Sequence, residues 1–178
     1  MVMSAHREEN VDIPEKFNRL YPALNKIADE YKMPVIFSVH PRTQKQFDAK
    51  GFKLSKYIQD DKPFGFFEYC KLQENAFCVL SDSGTLTEES SIFDFPAVLI
   101  RTSTERQEGV IHGSIVIGGV DYETIKPALE RARGIHSFGN KMVIAPDYNV
   151  LSVSANVFSL IAEKSKEIKQ KVWGLSEN

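Results

Sequence analysis

The sequence predicts an α/β domain, a Rossmann-like parallel sheet with helices on both faces, and three observations carry that prediction. Short apolar runs alternate with segments of helical periodicity along most of the 178 residues. The runs are uninterrupted rather than alternately apolar and polar, as expected of strands buried on both faces. Unusual polar clusters follow the strand ends, the edge at which open α/β sheets bind ligands.

The elements follow in order. "MVMSA" is short and apolar, a buried strand that ends at Ala5. "PEKFNRLYPALNKIADEYK" opens with Pro14 and Glu15, suited to a first helical turn, and repeats Phe17, Leu20, Leu24, Ile27 and Tyr31 at helical spacing. "PVIFSVH" is a β-branched strand ending at His40, and "RTQKQFDAKG" a short helix closed by Gly51. "FGFFEYCKLQENA" reads as a helix and "FCVLS" as a strand; "TLTEESSIF" reads as a helix and "PAVLI" as a strand. "TERQEGVIHG" forms a short helix or turn, "SIVIGG" a strand, and "YETIKPALERARG" a helix stopping at Gly134. "NVLSVSANVFSLIAEKSKEIKQKVWGL" is a long final helix, or two. No repeat, low-complexity tract or linker interrupts residues 1–178, so one domain is expected. The chain enters its first strand with no run-up, which suggests a piece of a longer protein.

Composition removes several function classes. Hydrophobic residues make up 42% and charged residues 26%, and the formal net charge is −2. That charge gives no global field for nucleic acid or an anionic membrane. No apolar run reaches the roughly 18 residues of a membrane span, and no leader stands at the front. Cys70 and Cys78 are too few for a disulfide scaffold and read as buried thiols of a reducing compartment, so a cytoplasmic location is expected.

Four polar clusters fall at strand ends: "HREEN", "HPRT", "SDSGT" and "RTSTER". In "SDSGTLTEE", Ser83, Gly84 and Thr85 are expected to place free main-chain amides at a helix start, where the dipole favours a phosphate by about 0.3–2 kcal/mol. Gly84 leaves room for close approach, and Glu88 or Glu89 can reach back to a ribose diol. The same residues also suit a plain helix cap, and the loop lacks the full pattern of either common glycine-rich phosphate motif. Arg101 and Arg106 suit bidentate phosphate contact or, equally, a solvated loop with a Glu–Arg pair. His6 can donate to a phosphate or assist a leaving group. His112 and His136 read as structural, with His40 intermediate. Phe64, Phe66, Phe67 and Tyr69 read as core, yet one ring can flank a base. No metal-ligand spacing and no dinucleotide fingerprint occur, so neither metal nor cofactor is expected.

With these residues in view, the chain resembles the C-terminal half of the non-hydrolysing UDP-N-acetylglucosamine 2-epimerase family. The resemblance covers nearly the whole chain and rests on four ordered motifs, "AHREEN", "PFGFFEY", "SDSGTLTEE" and "RTSTERQE". Thr85 stands where the family has a second glycine, and Gln107 where it has a proline. "KPFGFF" and "TEESS" look more like the branch acting on 6-deoxy N-acetyl sugars, as in N-acetyl-L-fucosamine synthesis.

The resemblance implies one half of a GT-B type two-domain fold, a UDP-sugar substrate and C2 epimerisation for cell-surface polysaccharide synthesis. Carried over by residue, it implies that Ser83, Gly84 and Thr85 bind the diphosphate and Glu89 the ribose. Arg106 and the catalytic His6 meet the phosphates, Phe66 and Tyr69 border the uracil, and Arg7 belongs to a regulatory sugar-nucleotide site. The implied partners are the enzyme's own N-terminal domain, packed against the final helix at about 150–172, and a second subunit in a homodimer; Trp173 reads either as a docking residue for that domain or as a self-contained apolar contact. A GT-B glycosyltransferase donor domain, a hydrolysing epimerase and a non-catalytic α/β binding domain are the competing readings.

Overall fold

The computed structural model describes residues 1–61, 63–137 and 144–174. Lys62 of the aromatic segment and Leu175, the last residue of the expected final helix, lie outside them. Among the described residues the strands are β1 (Val2–Ser4), β2 (Val35–Ser38), β3 (Ile58–Asp61), β4 (Val79–Ser81), β5 (Ala97–Leu99) and β6 (Val116–Ile117). They form one sheet in the order β3-β2-β1-β4-β5-β6, and every pairing is parallel. This is the order of a doubly wound nucleotide-binding sheet, whose progression reverses between β1 and β4.

The helices are α1 (Glu8–Val11), α2 (Pro14–Tyr31), α3 (Pro41–Lys50), α4 (Phe66–Glu74), α5 (Leu86–Phe93), α6 (Gln107–Ile111), α7 (Tyr122–Ser137) and α8 (Val153–Lys171). Strand side chains alternate between two apolar layers, as the pleat requires. Met3, Phe37, Leu80 and Val98 face the layer that holds Phe17, Leu20 and Leu24 of α2 and Ile125 and Leu129 of α7. Val2, Val79, Ala97 and Leu99 face Leu86, Phe95 and Ile115 on the other side. The first layer is dominated by rings. Tyr21 meets Phe17 at 4.6 Å and Phe47 at 4.9 Å between centroids, and Phe37 lies 6.5 Å from Tyr21. Burying each such ring contributes roughly 1.5–3 kcal/mol.

Among the described residues the structure adds β3, α1 and a short 3-10 turn at Pro146–Tyr148 to the sequence reading. β3 carries Gln59, Asp60 and Asp61, and of its residues only Ile58 is buried, so it shows no apolar run. It pairs with β2 alone, as a sheet edge. α1 is a single turn inside "HREEN", too short for any periodicity. α4 starts at Phe66 rather than Phe64, because the Gly65 amide donates to Glu68 Oε2 at 3.0 Å and fixes the first turn there. Cys78 is fully buried, whereas Cys70 is only half-buried, which corrects the expectation of two buried thiols.

The chain divides into two units, Met1–Tyr148 with the whole sheet, and Asn149–Asn178. α8 belongs to the second unit. Its apolar residues Val157, Phe158, Leu160 and Ile161 are exposed, and Trp173 is 64% exposed. Among the described residues no helix is long and apolar enough to cross a membrane.

Candidate nucleotide-binding site

β1 and β4 are neighbours in the sheet, so the loops that leave their carboxyl ends meet at the reversal point. One side chain ties them together. Asp82, which follows β4, is completely buried. Its Oδ2 accepts from the main-chain N–H of Arg7 at 2.9 Å and of His6 at 3.0 Å, and from Asn10 Nδ2 at 2.9 Å. Its Oδ1 lies 3.4 Å from His6 Nδ1. α1 has no side-chain cap of its own, and Asp82 instead holds the two main-chain N–H groups, of His6 and Arg7, that lead into it. The sequence reading named neither Asp82 nor the buried Asn10. The available signal was a carboxylate placed directly after a fully buried strand.

A cleft of about 400 Å³ opens beside this junction and is lined in part by His6, His40, Phe64, Phe66, Tyr69 and Glu89. Phe66 is 69% exposed, a free ring face rather than core. The Tyr69 hydroxyl is buried near Ser4, and burial pushes its phenol up to about 12, a rise that Ser4 opposes in part. Glu89 Oε2 accepts from Gln73 Nε2 at 2.7 Å, so a buried amide on α4 holds the carboxylate on α5. The Oε1 of Gln73 is itself buried without a partner among the described residues. His40 caps α3, its Nδ1 accepting from the Arg42 N–H at 3.2 Å, and its ring centre lies 6.3 Å from that of His6. His40 therefore joins the cleft, although the sequence left its role open.

The Ser83–Thr85 loop differs in detail from the expectation. The Ser83 N–H is not free but donates to Ser81 Oγ at 3.1 Å, because the strand end turns back on itself. No bond from the Gly84 or Thr85 N–H to another described group is present. The hydroxyls of Ser83 and Thr85 lie 3.0 Å apart. Gly84 avoids the left-handed region, so its lack of a side chain serves space, and the occupant of that space is Arg106. A β-carbon there would stand 2.6 Å from Arg106 Nη1. The two glutamates divide their work. Glu88 Oε1 accepts from Arg106 Nε at 2.7 Å, which raises the guanidinium pKa further, while Glu89 turns to Gln73 and the cleft.

The sequence-predicted residues thus form two connected groups. His6, Phe66, Tyr69 and Glu89 share the cleft. Ser83, Gly84, Thr85 and Arg106 form the neighbouring loop, linked to His6 through Asp82. Arg7 faces an adjoining basin of about 560 Å³, which shares His6 and His40 with the cleft and is lined further by Glu9 and Arg42. In that basin Arg42 pairs with Glu8 at 2.6 Å and with Asp12. Arg101 lies 3.3 Å from Glu105 and 3.8 Å from Glu9. His136, read as structural, lies 3.3 Å from Asp94. A backbone-lined corner with a cation above it and a half-apolar cleft beside it can hold a phosphate and a flat ring at once.

Comparison with known proteins agrees with this geometry. Residues 1–161 match the family model described as UDP-N-acetylglucosamine 2-epimerase. The chain is 35% identical over 134 residues to a UDP-N-acetylglucosamine 2-epimerase of Methanococcus maripaludis, covering 73% of this chain and 37% of that protein. The structure of the UDP-N-acetylglucosamine 2-epimerase from Rickettsia bellii superposes with a TM-score of 0.80 at 34% identity, covering 98% of this chain and 47% of the other. The Methanocaldococcus jannaschii UDP-GlcNAc 2-epimerase, in complex with UDP-GlcNAc and UDP, superposes with a TM-score of 0.79 at 28% identity, covering 91% and 44%. The chain therefore spans less than half the length of these relatives.

Proposed function

The chain belongs to the UDP-N-acetylglucosamine 2-epimerase family, and from that premise we propose that it is the half of a GT-B type enzyme that grips the UDP group of a UDP-N-acetylhexosamine during C2 epimerisation. One observation carries the reading: the loops after β1 and β4 converge on Asp82 at the sheet's reversal point, beside a cleft that already holds an aromatic face and a fixed carboxylate. The diphosphate sits at the Gly84 and Thr85 amides under Arg106 and near His6. The base lies along Phe66 and Tyr69, and Glu89 takes the ribose hydroxyls.

The chemistry makes this arrangement useful. Elimination breaks the bond between the anomeric carbon and UDP, removes the C2 proton and leaves a 2-acetamidoglycal. The electron pair departs with UDP, so oriented amides and cations stabilise charge that grows in the transition state. His6 stands where it can donate to the departing phosphate oxygen. Keeping UDP beside the glycal makes re-addition effectively unimolecular. The groups that remove and return the C2 proton belong to the N-terminal domain of the same enzyme, which meets the exposed apolar face of α8, with Trp173 as a docking residue. Arg7 and its basin serve a regulatory sugar nucleotide, the full enzyme is a homodimer, and the two free cysteines agree with a cytoplasmic location.

Calorimetry tests the binding claim: UDP releases heat on mixing with this chain, and ADP releases far less. Incubation with UDP-N-acetylglucosamine in deuterated water tests the division of labour. No deuterium enters C2 with this chain alone, and it enters when the N-terminal domain is supplied. Absence of UDP binding sinks the proposal.

A further inference from the structure

We propose that Asp82 is a positioning residue for the diphosphate: it does not touch the ligand but sets the main chain of His6 and Arg7 against the Ser83–Thr85 loop. The inference rests on the nucleotide reading above and goes beyond it by separating the control of phosphate affinity from the control of base affinity.

Asp82 is buried completely, and a buried carboxylate is tolerated only when its oxygens are satisfied. Here three protein N–H groups fill Oδ2, and two of them are main-chain groups of the loop after β1. The donors come from residues 72 to 76 positions away in the chain, so the carboxylate is the fastener between two loops that share no local sequence. Its own main-chain N–H donates to Ser4 O at 3.2 Å, which ties the residue into the β1 end a second time.

The consequence is directional. His6 is placed by its main-chain bond to Asp82 and by the 3.4 Å approach of its Nδ1 to Oδ1, while Ser4 Oγ lies 3.3 Å from the same nitrogen. The imidazole edge that carries Nδ1 is occupied, and Nε2 is left to meet the ligand. Ser83 follows Asp82 directly, so any shift of the carboxylate moves His6 and the phosphate loop together. Phe66 and Tyr69 stand on α4, and Glu89 is held from α4 by Gln73. None of the three donates to or accepts from the Asp82 carboxylate directly, and of the three it is Tyr69, beside Ser4, that lies nearest this junction. Asparagine at position 82 keeps the volume but removes the charge that strengthens the three bonds to Oδ2, and its N–H₂ replaces the oxygen that faces His6.

The test compares uridine with UDP on the full chain by NMR titration. Asp82→Asn lowers UDP affinity by roughly tenfold and leaves uridine affinity within about twofold, a split that general loosening of the fold does not produce. Asn10→Ala removes one side-chain donor and keeps both main-chain donors. It shows the same split at smaller size, and it carries the test if Asp82→Asn does not fold. Equal loss of both ligands, or no loss of UDP affinity, in whichever variant folds overturns the inference. Wild-type chain that binds neither ligand overturns the nucleotide reading as well, whereas wild type and Asp82→Asn that bind UDP alike overturn only the positioning role.

Discussion

The guanidinium of Arg106 rests on Gly84, so close that a methyl group at that α-carbon would stand 2.6 Å from Nη1. The glycine of the loop is therefore matched to an arginine 22 positions later. Glu88 holds that arginine from the next turn at 2.7 Å.

Gly84→Ala is expected to push the arginine aside rather than unfold the domain, because the clashing atoms are the far end of a flexible side chain. Thermal stability changes by less than about 1 kcal/mol, while UDP affinity falls by roughly tenfold. A calorimetric titration beside a melting curve reads both. Arg106→Ala lowers affinity similarly and also flattens its dependence on salt.

Glu89→Gln addresses the ribose. The wild-type chain is expected to prefer UDP over 2′-deoxy-UDP by roughly tenfold, since a buried polar group left unpaired costs about 1–3 kcal/mol. The variant binds the two ligands nearly alike. A preserved preference in Glu89→Gln removes the carboxylate from the ribose.

The two thiols are expected to differ in reactivity. Burial first, helped against only weakly by the Arg133 charge, pushes Cys78 up to about 12, so it resists alkylation in the folded chain. Cys70 lies in the cleft, and burial followed by the charges of Glu89 and Glu74 raises its pKa above the usual thiol value. Its alkylation rate therefore keeps climbing past the pH at which an ordinary cysteine levels off. Saturating UDP slows the reaction, and mass spectrometry of the modified peptide reports all three effects.

His136 supplies a pH dependence of stability. Burial lowers its pKa, and the nearby Asp94 only partly opposes this. The unfolded chain then takes up a proton at a higher pH than the folded chain does. Stability is full above the ordinary histidine value of 6.5 and declines as the pH falls from there toward the lower folded value. Melting curves between pH 7.5 and about 5 should show this loss. His136→Gln removes that component of the slope.

The sheet was largely legible because five of its strands are apolar runs between helices of clear period, such as Val35–Ser38 ahead of the Pro41 helix start. β3 was not, because an edge strand needs no apolar face and Gln59, Asp60 and Asp61 read as loop. At the candidate site, the sequence drew attention to His6, Glu89 and Arg106 because their chemistry is written in their residue type. It drew none to Asp82, Asn10 and Gln73, since a polar side chain becomes structural only when distant elements bring it partners. The free amide expected at Ser83 failed for a local reason: a hydroxyl two residues earlier reached it first.

The central place of β1 also has a temporal side. Its partners β2 and β4 emerge from the ribosome in turn, and β4 ends only at Ser81. The bond between His6 and Asp82 joins residues 76 positions apart. Such long-range pairings form late, after the entropy of closing the intervening loop has been overcome. A nascent chain halted before residue 82 can have a helix-backed β1–β2 pair and still be blind to nucleotide, so ligand capture on stalled ribosomes would date the moment at which the receptor is born.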